Sequence, residues 1–188
     1  MSFALPTPSN AAVIFLDLQA EIVKNSRTVA VERLRVRAAA LAKLAALHGL
    51  PAFASSVPPG GEYLADVLAP VSGLTPRPRT ETSVFADAGL VDALRGSGRS
   101  TLVLSGVASE IVVQRTALDA LAAGFAVHVA VDACGGIDER TEEAAWRRIT
   151  QAGGVTTSTT TFIAELAGDF TSEIGGKTLG LMYETLAG

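Results

Sequence analysis

The chain has 188 residues, a length that suits one domain with a substantial apolar core, and the expectation is a single domain over residues 1–188. Its formal net charge is −4, with no basic stripe and no interleaving of aromatic with basic residues, which argues against nucleic acid as a partner. Its apolar runs are strand-sized, which argues against a membrane span, and its lone cysteine, Cys134, excludes both an internal disulfide and a multi-thiolate metal site.

The stretch Met1–Asn10 contains Pro6 and Pro8 but no basic segment followed by an apolar one, so no secretory leader is expected and a cytoplasmic location is. Only 18% of the residues are charged while 48% are hydrophobic. Soluble domains carry roughly a quarter charged residues. A surface so poor in charge suits one covered by further copies of the same chain, and a homo-oligomer is the expectation.

Short apolar runs alternate with amphipathic stretches, the pattern of repeated βα units. Ala11–Asp17 reads as a strand buried on both faces. A helix is predicted over Thr28–His48, where Leu34, Ala38, Leu41 and Ala45 share one face and Gly49 stops it. A strand over Leu50–Val57 leads to the loop Pro58–Gly61 and a short helix from Glu62. Leu74–Arg79 reads as an edge strand interrupted by Pro76 and Pro78. A helix over Asp87–Arg95 precedes a strand over Thr101–Ser105, and a helix over Glu110–Ala123 precedes a strand over Ala126–Val131. Asp138 is a candidate N-cap for a helix over Glu139–Ala152. Val155–Ser158 reads as the last strand, followed by a helix over Phe162–Ala167 and a tail. These elements make an α/β fold: a doubly wound, mainly parallel six-stranded sheet with helices on both faces. Ligands in such sheets bind beyond the carboxyl ends of the strands.

Several residues fall at those ends. Asp17 closes an apolar strand, where desolvation raises a carboxyl pKa and suits it to acid/base work; capping a loop or pairing with a surface cation would account for it equally. Arg77 and Arg79 lie in a proline-spaced segment and read on their own as solvated loop arginines, although either would hold Asp17 ionised or orient an anion. The turn Gly106–Ser109 joins a strand to a helix, and its backbone N–H groups suit an oxyanion hole. Ile111 and Val112 in the following turn are aliphatic and read as packing. Cys134 has no base beside it in sequence and reads as a buried structural thiol. His48 sits at a helix end and His128 within a strand, and neither has a spacing partner for a metal.

The order and spacing of four blocks resemble the isochorismatase-like hydrolase superfamily, which includes nicotinamidases, N-carbamoyl amide hydrolases and isochorismatases. The blocks are VIFLDLQ at Val13–Gln19, SVF at Ser83–Phe85, the long run Leu102–Ala133, and EEAAWRRITQAGGV at Glu142–Val155, the last resembling a subgroup of octameric, YcaC-like hydrolases. The resemblance implies an Asp, Lys and Cys site. Its Asp falls on Asp17, its Lys on Arg79 and its nucleophilic Cys on Val112. It also implies a non-proline cis peptide between Val107 and Ala108, with Gln19, Ser83, Phe85, Val107, Ala108 and Ser109 shaping a substrate pocket.

Valine has no lone pair, so a covalent thioester intermediate at position 112 is impossible. Arginine cannot give up its proton, so Arg79 orients charge but moves no proton. The segment Ser55–Tyr63 lacks the histidine and aspartate ligands that nicotinamidases carry there, so neither a metal nor another cofactor is expected. Isochorismatases dispense with the cysteine and use the Asp as a general acid on a vinyl ether, with water as nucleophile. Valine is bulkier than the small residue found there, and Pro58–Gly61 offers no basic residue for a carboxylate, so isochorismate is not assigned as substrate. Anion recognition would fall to Arg77, Arg79 or Arg115. Two functions follow as expectations: Asp17-centred acid/base chemistry on a small molecule, or a catalytically silent homologue kept for binding or assembly.

Overall fold

The computed structural model describes residues 5–187; the first four residues of the Met1–Asn10 stretch lie outside them. Six strands form one wholly parallel sheet in the order β3-β2-β1-β4-β5-β6: β1 (Ala11–Leu16), β2 (Ala52–Ser56), β3 (Arg77–Pro78), β4 (Thr101–Val107), β5 (Ala126–Gly135) and β6 (Val155–Thr157). Every residue of β1 and β4 is buried, which explains why both read as continuous apolar runs rather than alternating ones.

Alternation appears instead in where those residues pack. Val13 and Phe15 point into one core with Leu34, Leu41 and Leu44 of helix α2 (Val31–His48), after the short α1 (Ala20–Val23). Ile14 and Leu16 point into the other core with Leu104 and Leu121. Helices α4 (Ala88–Gly96), α5 (Gln114–Ala122) and α6 (Glu139–Gln151) cover that second face, while α2, α7 (Thr159–Ala167) and α8 (Glu173–Ala187) cover the first; α3 (Ala65–Leu68) packs against α2. The expected three-layer, doubly wound α/β fold is present. Among the described residues no helix is long and apolar enough to cross a membrane.

The boundaries differ from expectation where side chains take up backbone groups. Helix α2 starts three residues later than expected because Thr28 is engaged elsewhere: its hydroxyl accepts the N–H of Gly136 at 2.8 Å. Strand β5 continues four residues past Val131, pairing Cys134 with Gly106 and Gly135 with Val107 beyond an irregularity in register. Asp132, which looked like the strand's end, instead accepts the N–H and hydroxyl of Thr159 at 2.7 and 3.0 Å and faces Arg37 at 3.6 Å. The helix expected at Phe162 begins at Thr159, capped by Ser158.

The expected tail is in fact helix α8, whose Thr178 hydroxyl meets His48 Nε2 at 2.8 Å and whose Thr185 carbonyl accepts a hydrogen bond from the buried Arg37. Burial holds the imidazole of His48 below its usual pKa, which disfavours the cation expected at this helix end. The Asp138 cap of α6 is as expected, accepting from Arg140 and Thr141 at 3.0 and 3.4 Å.

The helix after β4 opens with a π-helical turn, Ser109–Val113, in which Val113 N–H reaches the carbonyl of Ala108 at 3.4 Å. Such turns widen the helix locally and gather at functional sites. Just before it, Gly106 lies opposite Leu16 across the β1–β4 pair. A Cβ on Gly106 would stand 2.3 Å from the carbonyl oxygen of Leu16, backbone that has no room to retreat. Gly106→Ala is therefore expected to force β1 and β4 apart and cost about 2–3 kcal/mol, read as a lower urea midpoint with an unchanged slope; a midpoint equal to that of the native chain would contradict this packing.

Candidate functional site

The strand order reverses between β1 and β4, because the chain first winds outward through β2 to β3 and then returns. Loops leaving the two central strands diverge there and open a crevice, the place where ligands bind in doubly wound sheets. A cavity of about 550 Å³ occupies this point. Asp17 enters it from the end of β1, Val57 and Pro58 from β2, Arg79 from just beyond β3, and Val107, Ala108 and Val112 from β4 and the π-helical turn.

Asp17 is buried and adopts a left-handed backbone, φ 56°, as the chain turns sharply out of β1. One carboxylate oxygen accepts the hydroxyl of Ser55 at 2.9 Å and the other accepts Nη2 of Arg79, itself buried. Burial pushes the Asp17 carboxyl above its usual pKa, because its loss of hydration outweighs the opposing pull of the guanidinium and the hydroxyl. Arg79 Nη1 donates to the carbonyl of Glu81, while its Nε is buried without a hydrogen-bond partner among the described residues. Asp17, Arg79 and Val112 thus line one cavity, and Val112 presents an aliphatic side chain to it. The peptide Val107–Ala108 is cis, as expected, and lines the same cavity.

Gln19, Ser83, Phe85 and Ser109 take other places. The amide of Gln19 clamps the loop after β2: it accepts Val57 N–H at 2.7 Å and donates to the carbonyls of Val57 and Gly61, both at 3.1 Å. Ser109 is buried behind the wall, its hydroxyl donating to Glu142 at 2.6 Å and tying the π-helical turn to α6. Ser83 and Phe85 line a neighbouring hollow that meets the first at Glu81, Thr82 and Ile111. Ser83 caps a 3₁₀ turn, accepting Phe85 N–H at 3.1 Å, and the Phe85 ring meets Phe125 edge-on at 6.0 Å.

Of the three arginines expected to recognise an anion, only Arg79 lines the cavity. Arg77 forms a two-point pair with Asp87 at 2.7 and 3.1 Å, and Arg115 pairs with Asp119 at 2.9 Å on the neighbouring hollow. Cys134 is wholly buried away from the cavity, and burial pushes its thiol pKa far up. Among the described residues no three His, Cys, Asp or Glu side chains are grouped so as to hold a metal ion. Several lining residues had no signal in the sequence, among them Ile22 of α1, Asn25 and Arg27, which follow α1, and Ile137, which follows β5. Their loops reach the mouth of the cavity through contacts between distant parts of the chain.

Known proteins share this fold. The chain is 29% identical over 173 residues to the probable hydrolase YcaC of Escherichia coli K12, a match covering 89% of this chain and 83% of that one. The crystal structure of the E. coli protein, described as an octameric hydrolase of unknown specificity, superposes with a TM-score of 0.92 at 26% identity, covering 100% of this chain and 93% of that one. YcaC from Pseudomonas aeruginosa, determined with hexane-2,5-diol and covalent acrylamide, superposes with a TM-score of 0.91 at 25% identity, covering 100% and 96%. The isochorismatase domain model matches residues 11–161, from the first strand into α7. The chain belongs to the isochorismatase family.

Proposed function

We propose that the cavity at the carboxyl ends of β1, β2 and β4 binds a small molecule and hydrolyses it without a covalent enzyme intermediate, with Asp17 as acid and base and water as nucleophile. The observation that carries this reading is a buried carboxyl, its pKa raised by that burial, in a cavity where the aliphatic Val112 lines the wall. The proton passes from Asp17 to the substrate, the oxygen of water bonds to the electron-poor carbon so produced, and a proton of that water returns to the Asp17 carboxylate. The hydrated adduct then breaks its bond to the leaving oxygen or nitrogen, which takes the proton of the added hydroxyl, so that atoms and charge balance as one substrate and one water giving two products. Arg79 keeps its proton throughout and holds Asp17 in place. Assembly into a homo-oligomer belongs to the same proposal, supported by the low charge of the chain, by exposed Phe170 and Tyr183, and by the octamer of the E. coli relative.

A second reading, a binding protein without turnover, is favoured by one detail: both oxygens of Asp17 are already engaged, by Ser55 and Arg79. Turnover of a panel of amides, esters, ureas and vinyl ethers by the native chain and by Asp17→Asn separates the two. The expected result is activity on at least one class, lowered about 100-fold or more in the variant. Activity that survives the substitution would overturn the role given to Asp17, and none from the native chain would leave the binding reading.

The pH dependence has a definite sign. The working form of an acid is protonated, so kcat/KM is expected to fall as pH rises through the Asp17 pKa, which lies above the ordinary carboxylate value. Arg79→Met removes a charge that stabilises the carboxylate and should move that inflection to higher pH; an inflection that stays, or moves down, would mean that another group titrates.

Acrylamide provides a separate check on Val112. The native chain, whose only thiol is the buried Cys134, should resist alkylation while folded. Val112→Cys should be alkylated at neutral pH faster than a free cysteine, with one adduct mapped to position 112 by mass spectrometry. Reactivity no greater than that of a free thiol would show that the cavity no longer favours a thiolate.

A further inference from the structure

The mouth of the cavity carries a cation that the acid/base reading does not use. Arg27 is exposed and lines the cavity together with Asn25, and among the described residues its side chain forms no ion pair. The other lining cation, Arg79, is spent on Asp17 and on the carbonyl of Glu81, with only its buried Nε left over.

The backbone that presents Arg27 is fixed more firmly than a loop arginine requires. Its N–H donates to the carbonyl of Gly136 at 2.7 Å, and the N–H of Gly136 donates to the hydroxyl of Thr28 at 2.8 Å. Ser26, on the other side of Arg27, is buried against Gly135, where any Cβ would come within 2.4 Å of the serine hydroxyl. The segment 26–28 is thus strapped to the end of β5 by contacts more than one hundred residues apart in sequence. Around it the walls are apolar: Ile22, Ile111 and Ile137 line the cavity, and Ile111 and Ile137 remain 48% exposed. The one exposed acid on the lining, Glu81, accepts the N–H of Thr80 at 3.3 Å.

We propose that the cavity takes a small monoanion with an apolar body, its carboxylate held at the mouth by Arg27 and its body lying against the three isoleucines, toward Asp17. The proposal deepens the cavity assignment made above. It rests on this cavity being the ligand site and not on any proton transfer by Asp17. A guanidinium recognises a carboxylate through paired N–H donors, a geometry that neither an amide nor an ammonium group can use. A volume of about 550 Å³ suits a ligand of this size.

Calorimetric titration with benzoate, benzamide and benzylamine, three probes of one shape and different charge, tests it on the full chain at low ionic strength. Benzoate is expected to bind about tenfold tighter than benzamide, with benzylamine weakest and the benzoate preference shrinking as salt is added. Arg27→Gln, a change at an exposed side chain, should bring benzoate and benzamide to within about twofold of each other, while Arg27→Lys retains part of the preference. The proposal is overturned if the preference survives Arg27→Gln, if benzamide or benzylamine matches benzoate on the native chain, or if none binds at millimolar concentration. Because binding is read and not turnover, failure of the acid/base reading with Asp17→Asn leaves this outcome unaffected, and the converse also holds.

Discussion

The buried pair of Asp17 and Arg79 is the interaction around which the rest of the site is arranged. A carboxylate taken from water at the end of a fully buried strand is costly unless a cation and hydrogen-bond donors replace its hydration. Arg79 supplies the cation and Ser55 the hydroxyl, which draws together β1, β2 and the segment after β3. The backbone N–H of Arg79 also donates to the carbonyl of Ser56 at 2.9 Å, so the guanidinium is placed by an extension of the sheet and not by a free loop. Removing either partner would strand the other beneath the cavity. The pair thus fixes both where the chemistry sits and the geometry of three loop exits.

The framework was legible in the sequence because its signals are local. Strands buried on both faces leave continuous apolar runs, and β1 and β4 could be read from them directly. The C-terminal helix was illegible for an equally physical reason. Gly175, Gly176 and Gly180 lie in α8, and glycine costs about 1 kcal/mol per helical position. What holds α8 is tertiary: Leu181 packs into the core shared with α2, and Arg37 and His48 of α2 bond to Thr185 and Thr178. Strand β5 runs past the expected Val131 because Asp132 is held within the fold. It accepts hydrogen bonds from Thr159 and pairs with Arg37, residues that only the fold brings near.

The site divides along the same line. Position at a strand end marked Asp17, while Arg79, Val112 and the Val107–Ala108 peptide were located only by what the family resemblance implies. Gln19 and Ser109 belong to the same blocks yet support the walls instead of lining them, since their polar groups are consumed by Val57, Gly61 and Glu142. A sequence block records that a residue matters without recording which way it faces. Arg27 carries no such mark: its place depends on its own N–H donating to the carbonyl of Gly136 and on the N–H of Gly136 donating to the hydroxyl of Thr28. The three isoleucines around it are unremarkable in sequence for the same reason.

The family resemblance implies a lysine at position 79 and a cysteine at position 112, where this chain has arginine and valine. A lysine beside a cysteine can share protons with it and with the aspartate, so that three groups titrate together. Arginine stays charged at every pH at which the protein is folded, and it is less strongly hydrated, so burying it costs less. Its planar fork reaches the Asp17 carboxylate with one nitrogen and the Glu81 carbonyl with another, contacts a single ammonium would have to choose between. Among Asp17, Arg79 and Val112 this leaves one group that titrates in the ordinary range, Asp17, whose carboxyl burial pushes up against a fixed positive charge. Valine then closes the covalent route without leaving a polar group unsatisfied. On the proposed reading the two residues are consistent with each other: one acid, Asp17, is held by one permanent cation, and neither Arg79 nor Val112 shares its proton.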